Sequence, residues 1–147
     1  MQKHAFPPDL SDSDILRHHV LVEKARRLIA GLLKLDLEED GSLTGFCMGF
    51  FLVISFSELH PLMVVTLSKP YTLRVDINTY RALNRSNLNS ILGSHIINHD
   101  IGCYSFRATQ WLLSDLTEVD FSRFLSRCLQ AAEKGFSALF PHLFSHS

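Results

Sequence analysis

Residues 82–140 read ALNRSNLNSILGSHIINHDIGCYSFRATQWLLSDLTEVDFSRFLSRCLQAAEKGFSALF, and this stretch decides the fold. Asp100-Ile101-Gly102 is a turn, because glycine takes positive φ without steric cost. Ser94–His99 and Cys103–Leu113 flank it as the two arms of a hairpin. In the second arm Tyr104, Phe106, Ala108 and Leu112 fall on one face. Cys103, Ser105, Arg107, Thr109 and Trp111 fall on the other, which is the alternation of a half-buried strand. Thr117 and Asp120 then have the S/T-x-x-D/E spacing of a helix start. Phe121, Phe124, Leu125, Cys128, Leu129, Ala132, Phe136 and Leu139 follow at helical spacing until Pro141 stops them.

Upstream of the hairpin, Asp76 or Asn78 can cap another helix. Ile77, Tyr80, Leu83, Leu88 and Ile91 form its apolar stripe, Asn84 and Asn87 lie close to it, and Gly93 is expected to end it. Before that come strands near Leu43–Met48, Phe50–Ser57 and Leu62–Leu67. Gly45 and Gly49 mark bulges or a tight turn, and His60-Pro61 separates the later two strands. The nearly unbroken apolar run of Phe50–Phe56 suggests burial on both faces. Helices on one side and a partner on the other would supply it. Glu38-Glu39-Asp40-Gly41 is a turn. The first helix starts at the capping-box pair Ser11 and Asp14, carries Ile15, Val22, Ile29 and Leu33 inward, and ends by about Leu35. Residues 1–10 read as a flexible leader and 142–147 as a tail, leaving one α+β domain over 11–141. Its order is α-β-β-β-α-β-β-α around a twisted antiparallel sheet.

Composition excludes several functions. The 147 residues hold 14 Lys and Arg against 15 Asp and Glu, which is no nucleic-acid footprint. The densest basic cluster, Lys24, Arg26 and Arg27, reads as a solvated helix face. No apolar run is long enough to insert in a membrane, and the N-terminus has no signal-peptide core, so the cytoplasm is expected. Cys47, Cys103 and Cys128 are widely spaced and without a CxxC, as reduced thiols would be.

No reactive constellation stands out, and no cofactor is implied. His95, His99 and Cys103 are the best metal candidates. On a strand, however, His95 and His99 lie about 13 Å apart, too far to share an ion without a bend. His18 and His19 diverge around a helix, and Glu38, Glu39 and Asp40 lack the alternation of a calcium loop. Cys47 and Cys128 sit in apolar sequence, where thiols are inert. A binding protein is the expected class.

The order of elements and the grammar of residues 82–140 resemble the class I type III secretion chaperones, the Tir-chaperone-like proteins that hold effectors before export. A helix carries Leu83-Asn84, a short strand and a D-x-G turn follow, and a longer strand leads to an acidic cap. The last helix places paired Ala131-Ala132 ahead of Phe136. The likeness spans Ser13 to Phe140. It implies a homodimer, with Tyr80, Leu83, Asn84, Asn87, Leu88, Phe106 and Trp111 as interface candidates. It also implies that an extended N-terminal segment of an effector adds to a sheet edge and fills apolar pockets. Ile15, Val22, Leu43, Phe46, Phe50 and Val53 are the candidates to receive it. A similar fold also serves adaptors that bind a secretion regulator or the secretion ATPase. A small metal-dependent or thiol enzyme using His95, His99 and Cys103 is the remaining alternative.

Overall fold

Polar side chains fix where each helix begins. Ser11 Oγ accepts the Asp14 N–H at 3.1 Å, and Thr117 Oγ1 accepts the Asp120 N–H at 3.1 Å. Asp76 accepts the N–H groups of Asn78 and Thr79, while Thr79 Oγ1 accepts the Asp76 N–H, closing a capping box. These caps open α1 (Asp12–Leu33), α3 (Glu118–Leu139) and α2 (Ile77–Leu88) in a computed structural model that describes residues 11–57 and 59–141. The leader and tail expected from the sequence lie outside the described residues. α1 ends where Lys34 turns left-handed. α2 stops at Leu88, not at Gly93, so Ile91 is no part of its stripe. Gly93 instead opens a strand that runs close against the Phe106 ring and the Arg107 carbonyl, where a side chain would not fit.

The strands are β1 (Asp36–Leu37), β2 (Leu43–Cys47), β3 (Phe50–Phe56), β4 (Leu62–Pro70), β5 (Gly93–Asn98) and β6 (Cys103–Trp111). They form one antiparallel sheet in the order β1-β2-β3-β4-β6-β5. The sheet has six strands where the sequence suggested five. β1 is two residues long, made by pairing with β2 and not by any β-forming pattern of its own. β2 and β3 are joined by Met48-Gly49, both with positive φ, as a two-residue hairpin turn requires. That turn fixes the register Phe46 opposite Phe51.

α1 and α3 lie on one face of the sheet, and α2 packs beside α3 along the β5 edge. Beneath them Leu43, Phe50, Leu52, Ile54, Met63, Val65, Leu67, Tyr104 and Phe106 are buried against Ile29 of α1 and the apolar stripe of α3. Lys69 Nζ lies over the rings of Phe50 and Phe136 at 5.1 and 4.9 Å, tying β4 to α3. Arg26 is not part of a solvated face. It donates to the Gly41 carbonyl at 2.8 Å, pairs with Glu23 and covers the Phe56 ring, pinning α1 to the β1–β2 turn. Among the described residues, no buried side-chain nitrogen or oxygen lacks a hydrogen-bond partner.

Candidate interaction surfaces

Among the described residues, the second face of the sheet carries no helix. Register places its side chains in rows across the strands. One row runs Phe46, Phe51, Ser68, Ser105, Ile96, and the next runs Thr44, Val53, Thr66, Arg107, Ser94. Phe46 is 80% exposed and packs its ring 5.3 Å from that of Phe51. Trp111, 54% exposed, stands at the far corner beside Leu62, with His60 against its ring. Between the corners Ser68 and Ser105 share a 2.8 Å hydrogen bond. The face is therefore apolar at two corners, with hydroxyls and the exposed Arg107 in the middle. The alternation explains β3: Phe50, Leu52 and Ile54 face the helices, while Phe51, Val53 and Ser55 face outward.

Two helices extend the exposed apolar surface. The N-terminal half of α1 shows Ile15, Leu16 and Val20 to solvent. α2 shows Ile77, Tyr80 and Leu88. The sheet edges differ in how they are closed. At β5 the Asn87 side-chain amide donates to the His95 carbonyl at 2.9 Å and accepts the His95 N–H at 2.7 Å. Asn87 thus stands in for a neighbouring strand and blocks edge pairing there. Among the described residues β2 is paired with β1 only at Leu43 and Thr44, so the outer edge of Gly45–Cys47, which carries Phe46, is unpaired there.

The reactive groups are committed elsewhere. His95 is buried, with Nδ1 at 2.7 Å from Tyr104 Oη. Burial holds its pKa below the ordinary histidine value and pushes the Tyr104 phenol up. Cys128 is in the core, where burial pushes its thiol up to about 12, and burial also raises Cys47. His99 is exposed. Among the described residues, no three His, Cys, Asp or Glu side chains come together as a metal site. None of their helices is long and apolar enough to cross a membrane.

The buried imidazole has a consequence for stability. The unfolded chain takes up a proton as pH falls through about 6.5, before the folded chain does. Stability should therefore drop below that pH, by at most about 1.4 kcal/mol per pH unit, until the folded pKa is passed. Urea unfolding at successive pH values measures this, and His95→Gln should flatten the profile below pH ~6.5 relative to the parent.

The sequence candidates divide sharply. Phe46 and Val53 line the bare face, and Ile15 is exposed on α1. Val22, Leu43 and Phe50 are core residues and offer no surface to a guest, because they lie on the helix-covered side. Of the interface candidates, Tyr80, Asn84, Leu88 and Trp111 are exposed. Leu83 is half-buried against the core, Asn87 is engaged with β5, and Phe106 is wholly inside. Phe51 and Ile96 were missed. The Met48-Gly49 turn was the signal for Phe51, since it sets which β3 residues face Phe46.

No protein-family model matches the chain, and no curated protein matches it. Solved structures do. A chain of the HopA1–SchA chaperone–effector complex matches 86% of this chain and 97% of its own length, with TM-score 0.55 at 13% identity. A chain of the Yersinia pestis type III secretion chaperone SycH in complex with a stable fragment of YscM2 matches 80% and 97%, with TM-score 0.52 at 17% identity. The chain has the fold of the type III secretion chaperones. YbjN, a proposed transcription regulator from E. coli, matches 80% of the chain and 88% of its own, with TM-score 0.57 at 10% identity. At 10–17% identity the likeness is one of fold alone, so function must be read from the surfaces.

Proposed function

We propose that this protein is a type III secretion chaperone. It acts in the bacterial cytoplasm as a homodimer and binds the N-terminal chaperone-binding segment of one or more effectors. The segment is kept extended, soluble and ready for export. The observation that carries this reading is the bare sheet face, with Phe46, Phe51 and Trp111 displayed on a sheet whose other face is fully roofed by helices. Apolar side chains held in water on a rigid platform are what a guest chain needs. They bury on contact, whereas ordering the guest costs about 2–5 kcal/mol that the contacts must exceed. The unpaired Gly45–Cys47 edge beside Phe46 supplies backbone groups for an extended segment. Chaperones of this fold have been solved with bound effector or protein fragment, which supports the same use here.

The exposed α2 residues Tyr80, Asn84 and Leu88 are assigned to self-association. Light scattering is expected to give twice 16.7 kDa. Tyr80→Glu with Leu88→Glu should halve that mass while leaving the helical circular dichroism unchanged. Co-expression with the N-terminal segment of an effector encoded beside this gene should protect that segment from proteolysis. A parent protein that stays single at its solubility limit, and protects no neighbouring effector segment, would sink the reading.

A further inference from the structure

A second concave surface lies in the helix layer, away from the bare sheet face. α2 and α3 run beside each other, and the loop from Asn89 to Leu92 closes one end. The groove between them has a volume of about 830 Å³, room for several side chains. Its lining joins small or apolar groups, Ala82 from α2, Ala131, Gly135 and Ala138 from α3 and Leu92 from the loop, with uncharged polar side chains and His95. Ile91 stands fully exposed at the mouth. The rim is cationic. Arg85 comes from α2, and Arg127 and Lys134 come from one stripe of α3, at i and i+7. No Asp or Glu lines the groove, and none of the three cations is in an ion pair among the described residues.

A chain with net charge −1 has thus gathered three positive groups around one largely apolar trough, with no ion pair to any of them among the described residues. Like charges so placed repel one another, and an opposite charge from outside relieves that. The small floor residues make the trough deep enough to take apolar side chains out of water. We propose that this groove docks an acidic amphipathic helix of a partner protein. Its apolar stripe lies along Ala131, Ala138 and Leu92, and its carboxylates meet Arg85, Arg127 and Lys134. A nucleic acid would want a broader basic surface than three side chains, and a bare anion would have no use for the apolar floor. The inference rests on the reading of the chain as a protein-binding module, and it needs neither the export role nor the dimer.

Two labelled synthetic helices test it. They share leucines at i, i+3, i+4 and i+7, and one carries flanking glutamates where the other carries lysines. Fluorescence anisotropy and amide chemical shifts follow the binding. The glutamate peptide is expected to bind, to shift Ile91, Ala131 and Lys134, and to weaken as salt rises. Arg127→Glu with Lys134→Glu, both on the exposed side of α3, should cost about tenfold or more in affinity. The thermal melt and the solution mass should stay unchanged. Ala131→Trp should block the site by filling its floor. Equal binding of the lysine peptide, shifts confined to Phe46 and Phe51, or no binding by the glutamate peptide would each overturn the proposal. Binding of sodium dodecanoate as tight as that of the peptide would overturn the choice of a protein helix. Because the groove variants leave α2's outer residues and the bare face untouched, loss of groove binding with an intact dimer and guest segment separates this failure from that of the chaperone reading.

Discussion

Gly135→Ala is expected to lower the unfolding free energy by about 3–5 kcal/mol, the sum of an overpacking cost and a broken buried hydrogen bond. The sign is the diagnostic feature. In the middle of a helix, glycine to alanine ordinarily stabilises by about 1 kcal/mol, because alanine has less backbone entropy to lose. Gly135 sits inside α3, where a β-carbon would land on both His95 Nδ1 and Tyr104 Oη. Those two atoms are joined by a 2.7 Å hydrogen bond in the core. The imidazole belongs to the edge strand β5 and the phenol to β6, both backed by sheet, so neither can retreat far. An added methyl must therefore part them or push α3 off the sheet. Parting them leaves buried polar atoms without partners, and pushing α3 away opens voids in the core, in a domain whose total stability is of order 5–15 kcal/mol. Gly31 is the internal control. It lies exposed in α1 with nothing within 4 Å of a built β-carbon, so Gly31→Ala should raise stability by about 0.5–1 kcal/mol. Opposite displacements of the urea midpoint for the two substitutions would establish the close packing at Gly135. A stabilised Gly135→Ala would refute it.

The sequence made the elements legible where periodicity and caps agreed. Thr117 and the stripe from Phe121 to Leu139 define α3 as it stands. The alternation of Tyr104, Phe106 and Ala108 against Ser105, Arg107 and Thr109 gives β6 its two faces. Gly135 was invisible by the same logic, since a glycine adds nothing to an apolar stripe and its role is the space it leaves for His95 and Tyr104. Residues Phe50–Phe56 were misleading for a related reason. Aromatic and aliphatic side chains on both faces erase the alternation, so Phe50 and Val53 could not be told apart as core and surface. Only the register imposed by Met48-Gly49 separates them. Asn87 shows the limit from the polar side. Its place beside the α2 stripe suggested a contact with a partner, but its amide is used up by the β5 backbone, a pairing between residues eight apart that no local pattern announces. The cationic rim was scattered too, because Arg85, Arg127 and Lys134 come together only when α2 packs against α3.

Phe46→Thr combined with Phe51→Thr is expected to weaken guest binding by at least about 30-fold, the loss that follows from removing one 2 kcal/mol aromatic contact. Threonine keeps the β-forming backbone preference, so the effect isolates the aromatic surface. Both rings project from the bare face, and removing them takes nothing from the core. The urea midpoint should accordingly move little, within the roughly 0.5 kcal/mol typical of surface substitutions. Leu52→Thr, one residue away on the same strand, should behave in the opposite manner. Leu52 is completely buried, and a hydroxyl there costs transfer free energy, leaves a cavity and wants a hydrogen-bond partner, together about 2–4 kcal/mol. The binding is read with the effector segment that survives proteolysis in co-expression. Trp111, the single tryptophan, reports at the far corner of the same face. Its emission should move to shorter wavelength when a guest covers the sheet, and that shift should require higher guest concentration in the double variant. Unaltered affinity with both phenylalanines gone would mean that the guest does not use this face. The helix-free side of the sheet would then be left without an occupant, and the chaperone reading without the observation that carries it.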